Sequence, residues 1–147
     1  MIYAIDANIL VYASNPGQRE TFLKANRFLN EQVLTGKIEA CIAYQTFYEF
    51  YAIVTDGRRV ERPLNPLQAR EIIDTYRRAR NIRKIHALKS NLQNTLHLLT
   101  RYPISRQEIF DAVLVATLMD NGIGGIITAD EEGFSRFEFL QVVNPLR

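Results

Sequence analysis

The sequence predicts an α/β fold: a single domain on a mostly parallel five-stranded sheet, with helices on both faces. Three observations lead there. Short apolar runs rich in strand formers alternate with longer segments of helical periodicity. The chain has 147 residues, which suits one domain (residues 1–147) and is too short for two ordinary ones. Hydrophobic residues make up 47% and charged residues 23%, a balance that can bury a core.

The elements follow in order. Ile2, Tyr3, Ala4 and Ile5 form a short buried strand that meets Asp6 and a polar loop. Over residues 18–34, Phe22, Leu23, Ala25, Phe28, Leu29 and Val33 recur at helical spacing until Thr35 and Gly36 close the helix. Residues 39–43 are a second strand. Residues 44–54 are a helix apolar on nearly every side. Gly57, Pro63 and Pro66 mark residues 55–66 as a loop. Asn65 can cap a helix whose first residue is Pro66 and which runs to about residue 80. Residues 82–85 are a third strand, and residues 91–102 a helix stopped by Pro103. Ser105 precedes Glu108 by three residues, a capping-box spacing that opens a helix ending at Gly122. Residues 125–129 are a fourth strand ended by Asp130, and residues 140–143 a fifth.

Charge is unevenly spread. Eighteen Lys and Arg against sixteen Asp and Glu give a net of +2, which excludes a histone-like polycation. Residues 58–89 alone carry a net of +7, from ten basic and three acidic residues, and the remainder a net of −5. Fourteen of the basic residues are Arg, the side chain better suited to bidentate phosphate contact. A basic segment beside an acidic remainder suits a polyanionic ligand. Arg58, Arg59 and Arg62 are its candidate phosphate contacts. The run Arg77-Arg78-Ala79-Arg80 reads first as a solvated helix end.

Other features narrow the classes. The lone Cys41 cannot form an internal disulfide or a multi-cysteine metal site, and reads as a small apolar strand residue. His86 and His97 have no cysteine partners with which to bind zinc. The glycines of residues 122–125 precede a strand and lack the Lys-Ser or Lys-Thr of a phosphate-binding loop. The first turn has no glycine fingerprint for a dinucleotide. No apolar run reaches the roughly 18 residues of a membrane span, and the opening segment reads as neither signal nor transit peptide. A cytoplasmic protein with no membrane contact is the expectation.

Four carboxylates carry the chemistry. Asp6 and Asp130 follow the last apolar residues of two predicted parallel strands, where such sheets gather ligands. Turn or helix capping is the structural alternative for each. Glu49 and Asp111 lie in strongly apolar helices, where a lone carboxylate is costly unless paired, protonated or bound to a cation. No Lys or Arg occurs within residues 38–57 or 107–135 to pair them locally. Clustered acids repel and need a cation, and oxygen-only ligands suit Mg²⁺ or Mn²⁺. That chemistry points to phosphodiester hydrolysis. Tyr12, near Asp6, is a candidate to stack on a base.

These residues resemble the PIN-domain ribonucleases, particularly their VapC-like toxin branch. Asp6-Ala7-Asn8 is similar to the family's opening D-x-N motif. Glu49 sits in the second main helix, and the stretch from Asp111 to Leu118, followed by Asn121-Gly122, is similar to the helix of the third acid. Thr128-Ala129-Asp130, with Phe134 beyond, resembles the closing T-x-D-x-x-x-F. The stretch from Thr55 to Val60, with Pro63 beyond it, resembles the linker of toxin-like members. The resemblance spans nearly the whole chain. It implies a three-layer α/β/α sandwich with strand order 3-2-1-4-5, and Mg²⁺ or Mn²⁺ at Asp6, Glu49, Asp111 and Asp130. Asn8 and Thr128 would support that site by hydrogen bonding, while Glu131 and Glu132 leave the fourth acid open by a position or two. It further implies RNA as substrate, a homodimer and a small antitoxin partner in a type II toxin–antitoxin pair. The alternatives are a PIN nuclease for RNA processing without an antitoxin, and a non-catalytic RNA- or protein-binding module.

Overall fold

The computed structural model describes all 147 residues. Strands β1 (Ile2–Ile5), β2 (Glu39–Ala43), β3 (Ile82–Ile85), β4 (Gly125–Ile127) and β5 (Gln141–Val143) form one sheet in the order 3-2-1-4-5. Every pairing is parallel. Seven α-helices connect them: α1 (Ala7–Ala13), α2 (Arg19–Phe28), α3 (Tyr44–Val54), α4 (Pro66–Arg78), α5 (Asn91–Arg101), α6 (Ile109–Asp120) and α7 (Glu131–Ser135).

The period-two alternation of the strands divides the core between the two faces. Ala4, Cys41 and Ile126 point into a cluster with Leu98 of α5, Leu114 and Leu118 of α6 and Phe134 of α7. Their neighbours Ile5, Ile42 and Ile127 point the other way, onto Ile9 and Leu10 of α1 and Phe47, Phe50 and Val54 of α3. Helices therefore cover both faces, as an all-parallel sheet requires. Cys41 is the buried strand residue that its apolar setting predicts, and burial pushes its thiol up to about 12. No helix is long and apolar enough to cross a membrane.

Several boundaries differ from the sequence-based expectation, each for a local reason. Asp6 opens α1 directly where a polar loop was expected, because its carboxylate accepts from the Ala7 N–H and Ile9, Leu10 and Val11 supply a buried face. The helix expected over residues 18–34 ends as α2 at Phe28 and continues as a wider π turn over Leu29–Val33. Gly36, at φ 77°, then reverses the chain. The fourth strand stops at Ile127, because the Thr128 and Asp130 side chains turn the backbone into α7, an element with too few residues to show periodicity. Helix α3 is not apolar-buried all round: Tyr44, Tyr48 and Tyr51 face outward. The two caps read from the sequence are both formed, Asn65 with Gln68 before α4 and Ser105 with Glu108 before α6.

Strand β4 depends on one glycine. A Cβ at Gly125 would run into the ring of Tyr3, its register partner on β1. Gly125→Ala is expected to cost about 1–3 kcal/mol by overpacking, or roughly 3 °C of melting temperature per kcal/mol. Differential scanning calorimetry checks this, and the cost of Gly125→Ala should be much smaller when it is measured in a Tyr3→Ala background.

Candidate active site

Strand order reverses at β1, which pairs with β2 on one side and β4 on the other. The crevice beyond the carboxyl ends of β1 and β4 is the switch point at which such sheets bind ligands. Asp6 ends β1 there and is buried. One oxygen accepts from the Ala7 N–H at 2.8 Å and the other from the Thr128 hydroxyl at 2.7 Å. Thr128, fully buried just past β4, accepts in turn from Asn8 Nδ2 at 3.2 Å and from the Asp130 N–H at 3.0 Å. Asn8 closes the loop, its Oδ1 accepting from the Ala129 N–H at 3.2 Å. These bonds tie the ends of the two strands together and leave Asp6 little freedom.

The remaining acids enter from helices. Asp130 is exposed and caps α7 by accepting from the Gly133 N–H. Capping is thus real for both Asp6 and Asp130, and it fixes both in place. Glu131 is drawn away by Asn144 and Arg147. Asp130, not its neighbours, is therefore the acid whose charge acts on Asp6 and Asp111. Glu49 on α3 is half-buried and accepts from Gln45 Nε2 at 3.1 Å, one helical turn earlier. The same Gln45 amide donates to the Phe110 carbonyl at 2.9 Å, joining α3 to the first turn of α6 beside Asp111.

Repulsion couples the four acids in pairs. Burial pushes Asp6 up to about 6, against the lowering effect of Thr128 and Ala7, and the charges of Glu49 and Asp130 add to the rise. Burial also pushes Asp111 up to about 6, with Asp6 and Asp130 raising it further. Glu49 is raised by burial and by Asp111, while Gln45 and Arg59 hold it down. The donor set is oxygen-only and anionic, which fits a hard divalent cation and not a soft one. No three of the acids close into a preformed metal shell.

A groove of about 900 Å³ runs over Glu49 and Asp111, walled by Tyr48, His86 and Phe110 with Arg59 at one end. Tyr44 stacks on His86 at 5.9 Å between ring centroids. Tyr48 and Phe110 are 73% and 58% exposed. Arg59 also borders a smaller cleft with Asn8 and Tyr12, so it links that cleft to the groove over Glu49 and Asp111, while none of the four acids lines the cleft itself. Arg58 instead closes back on Asp56, at 3.1 Å from Nε to Oδ1. Arg62 is exposed. Farther along the basic segment, Arg77 and Arg78 both pair with Asp74.

Two neighbours of the acids escaped the sequence reading. Gln45 carries a signal, the i to i+4 spacing to Glu49. Arg136 is the distant cation that folds in: its Nη1 lies 2.9 Å from Glu108 and its Nη2 lies 3.8 Å from Asp111. Arg136 is the only basic residue between Arg106 and Arg147, a scarcity that could have drawn attention to it.

The chain matches the PIN domain model over residues 3–140. It belongs to the PIN-domain family. A PIN relative named ribonuclease VapC24, from Mycobacterium tuberculosis (strain CDC 1551 / Oshkosh), is 33% identical over 146 residues, 97% of this chain and 96% of its own. Among solved structures, the Mycobacterium tuberculosis VapC20 toxin, described as cleaving the sarcin-ricin loop, shares the fold at a TM-score of 0.68. It has 14% identity, with 93% of this chain and 95% of that one covered. VapBC2 from Rickettsia felis, solved bound to a DNA fragment from its promoter, gives a TM-score of 0.66 at 19% identity and 98% coverage of both chains. The PIN fold and its strand order agree with the resemblance read from the sequence.

The raised carboxylates set a pH dependence. Because the folded values of Asp6 and Asp111 exceed the unfolded value of about 3.9, the folded state holds more protons between that value and about 6. Stability in chelator should fall as pH rises through that window and level off above it. Asp111→Asn removes one charge at nearly constant volume, so at pH 7 in chelator it should melt at or above wild type. The gap should shrink toward pH 4. A variant melting below wild type at pH 7 would mean that attraction to Arg136 outweighs burial and repulsion.

Proposed function

We propose that this PIN protein is a Mg²⁺- or Mn²⁺-dependent endoribonuclease and the toxin of a type II toxin–antitoxin pair, acting in the cytoplasm. The observation that carries the reading is the buried Asp6, held by Thr128 at the switch point and pressed by the charges of Glu49 and Asp130, while its own charge presses on Asp111. Relatives named ribonuclease VapC24 and VapC20 support the activity, and the VapBC2 complex supports an antitoxin partner. The exposed Tyr48 and Phe110 offer apolar surface for a protein partner or a second copy of the chain to cover.

In this reading Asp6, Glu49, Asp111 and Asp130 hold the cation, with Asp6 and Asp111 central. The chemistry such a cation supplies when bound is relief of carboxylate repulsion and electrophilic stabilisation of a phosphodiester. The protein's own groups do the rest. Thr128 and Asn8 fix Asp6. Gln45 orients Glu49, which would take a proton from the attacking water. The water oxygen bonds to phosphorus, one P–O bond to ribose breaks, and the departing oxygen gains a proton from solvent. Arg59 and Tyr12 meet the RNA, and Arg58 and Arg62 lie farther out on the basic loop.

Purified protein incubated with total RNA should cleave it with Mn²⁺ or Mg²⁺ and not with chelator, and Asp6→Ala should lose at least about 100-fold in rate. Induced expression should arrest growth for wild type alone. Cleavage without growth arrest favours the RNA-processing alternative. RNA binding with no cleavage under any divalent metal would replace the enzyme reading with a binding module. Neutralising Arg58, Arg59 and Arg62 together should weaken RNA binding across sequences and flatten its salt dependence, by about one unit of slope for each phosphate that is no longer neutralised. Arg59 should account for more of the loss than Arg58, which is already paired with Asp56.

A further inference from the structure

Arg136 is held from several sides and left incomplete on one. Its Nη1 donates to Glu108 Oε2 at 2.9 Å and to the Pro103 carbonyl at 3.3 Å. The guanidinium carbon stands 5.2 Å above the ring of Phe137, which is fully buried. The side chain is only 19% exposed. Yet Nε and Nη2 are buried without a hydrogen-bond partner. Buried N–H donors of a charged group are costly when unpaired. The acceptor facing Nη2 is Asp111 Oδ2, at 3.8 Å, close enough for ionic attraction and just beyond hydrogen-bond reach.

We propose that Arg136 is a positioning residue for Asp111: anchored by Glu108, the Pro103 carbonyl and Phe137, it presents Nη2 to one carboxylate oxygen and turns the other toward the acid cluster. A small rotation of Asp111 completes the bond and satisfies the stranded donor. The arrangement is a bridge of acid, guanidinium and acid, in which Glu108 fixes the arm and Asp111 is the group being aimed. It spans three segments: the loop before α6, the first turn of α6 and the end of α7. Glu108 therefore has two uses. It completes the capping box of the 3₁₀ turn over Arg106–Glu108 that leads into α6, and it holds the cation proposed to orient an acid on that helix. The free arm is needed because Asp111 lies in the first turn of α6, where no other side chain is bonded to it.

The inference rests on the reading of Asp111 as a site acid, and two measurements separate the two ideas. The first is a double-mutant cycle on melting temperature in chelator, with Arg136→Met, Asp111→Asn and the double variant. Met keeps the stem over Phe137 and removes the fork. If Arg136 holds Asp111, the loss caused by Arg136→Met should be smaller in the Asp111→Asn background by about 3 °C or more. Additive losses would reduce Arg136 to a clamp between Glu108, Pro103 and Phe137 and overturn the assignment. This arm needs neither metal nor RNA. The second is the Mn²⁺ concentration at half-maximal thermal shift, which should rise about tenfold in Arg136→Met, the usual effect of removing a partner that orients a ligand. If Arg136→Met does not fold, Arg136→Lys carries the same measurement. An ammonium that reaches Glu108 has no second diverging arm, so its midpoint should also rise. A midpoint equal to wild type in the variant tested overturns the assignment. A wild type with no Mn²⁺ shift at all sinks the metal reading of the site and leaves the cycle to decide on Arg136.

Discussion

The structure turns on the burial of one carboxylate. Asp6 sits where the strand order reverses, packed between β1 and β4, and its charge has little water around it. An isolated ionised carboxylate there would be prohibitive. Two hydrogen bonds, from the Ala7 N–H and the Thr128 hydroxyl, offset part of that cost but do not bring Asp6 back into the ordinary carboxylate range. The fold thus keeps an acid at a cost, to which the charges of Glu49 and Asp130 add.

The parallel sheet explains why the acids can meet at all. Each crossover returns the chain to the same edge, so the residues after β1 and β4 share a crevice. Helix α3 starts at the end of β2, which brings Glu49 to the same side. Helix α6 is pinned from two directions. Gln45 bonds to the Phe110 carbonyl at its start, while Asn91 and Asn94 of α5 donate to Val113, Thr117 and Asp120 along its length. Helix caps and candidate site acids coincide. Asp6 and Asp130 start helices, and Glu108 starts one while holding Arg136. Local rules of helix initiation thus place the acids to within a turn, and tertiary packing supplies the remainder.

Much of this was legible in the sequence, because the signals were local and strong. Alternating apolar runs marked all five strands, the Asn65 and Ser105 caps showed plainly, and the four acids stood out against apolar surroundings. The parts that were not legible depend on distance or on shortness. Helices α1 and α7 have seven and five residues, too few for a periodic pattern. The π turn after α2 adds one residue per turn without a change in composition. The outward tyrosines of α3 carry no polarity cue, since Tyr serves equally in a core and on a functional surface. Arg136 reaches Asp111 across 25 positions, and no spacing rule covers that. Charge counting also overstated the basic segment, because Arg58, Arg77 and Arg78 are already paired with neighbouring aspartates.

The central claim is that the acids around Asp6 form a binding site for a hard divalent cation, although they do not close into a shell by themselves. Anomalous diffraction from crystals soaked in Mn²⁺ tests this most directly. The account predicts a peak within about 2.5 Å of carboxylate oxygens of both Asp6 and Asp111, the range for oxygen ligands of such ions. Glu49 and Asp130 should draw inward relative to the metal-free protein. Mn²⁺ bound only at exposed carboxylates such as Glu20 or Glu132, with Asp6 still satisfied by Thr128 and Ala7 alone, would contradict it.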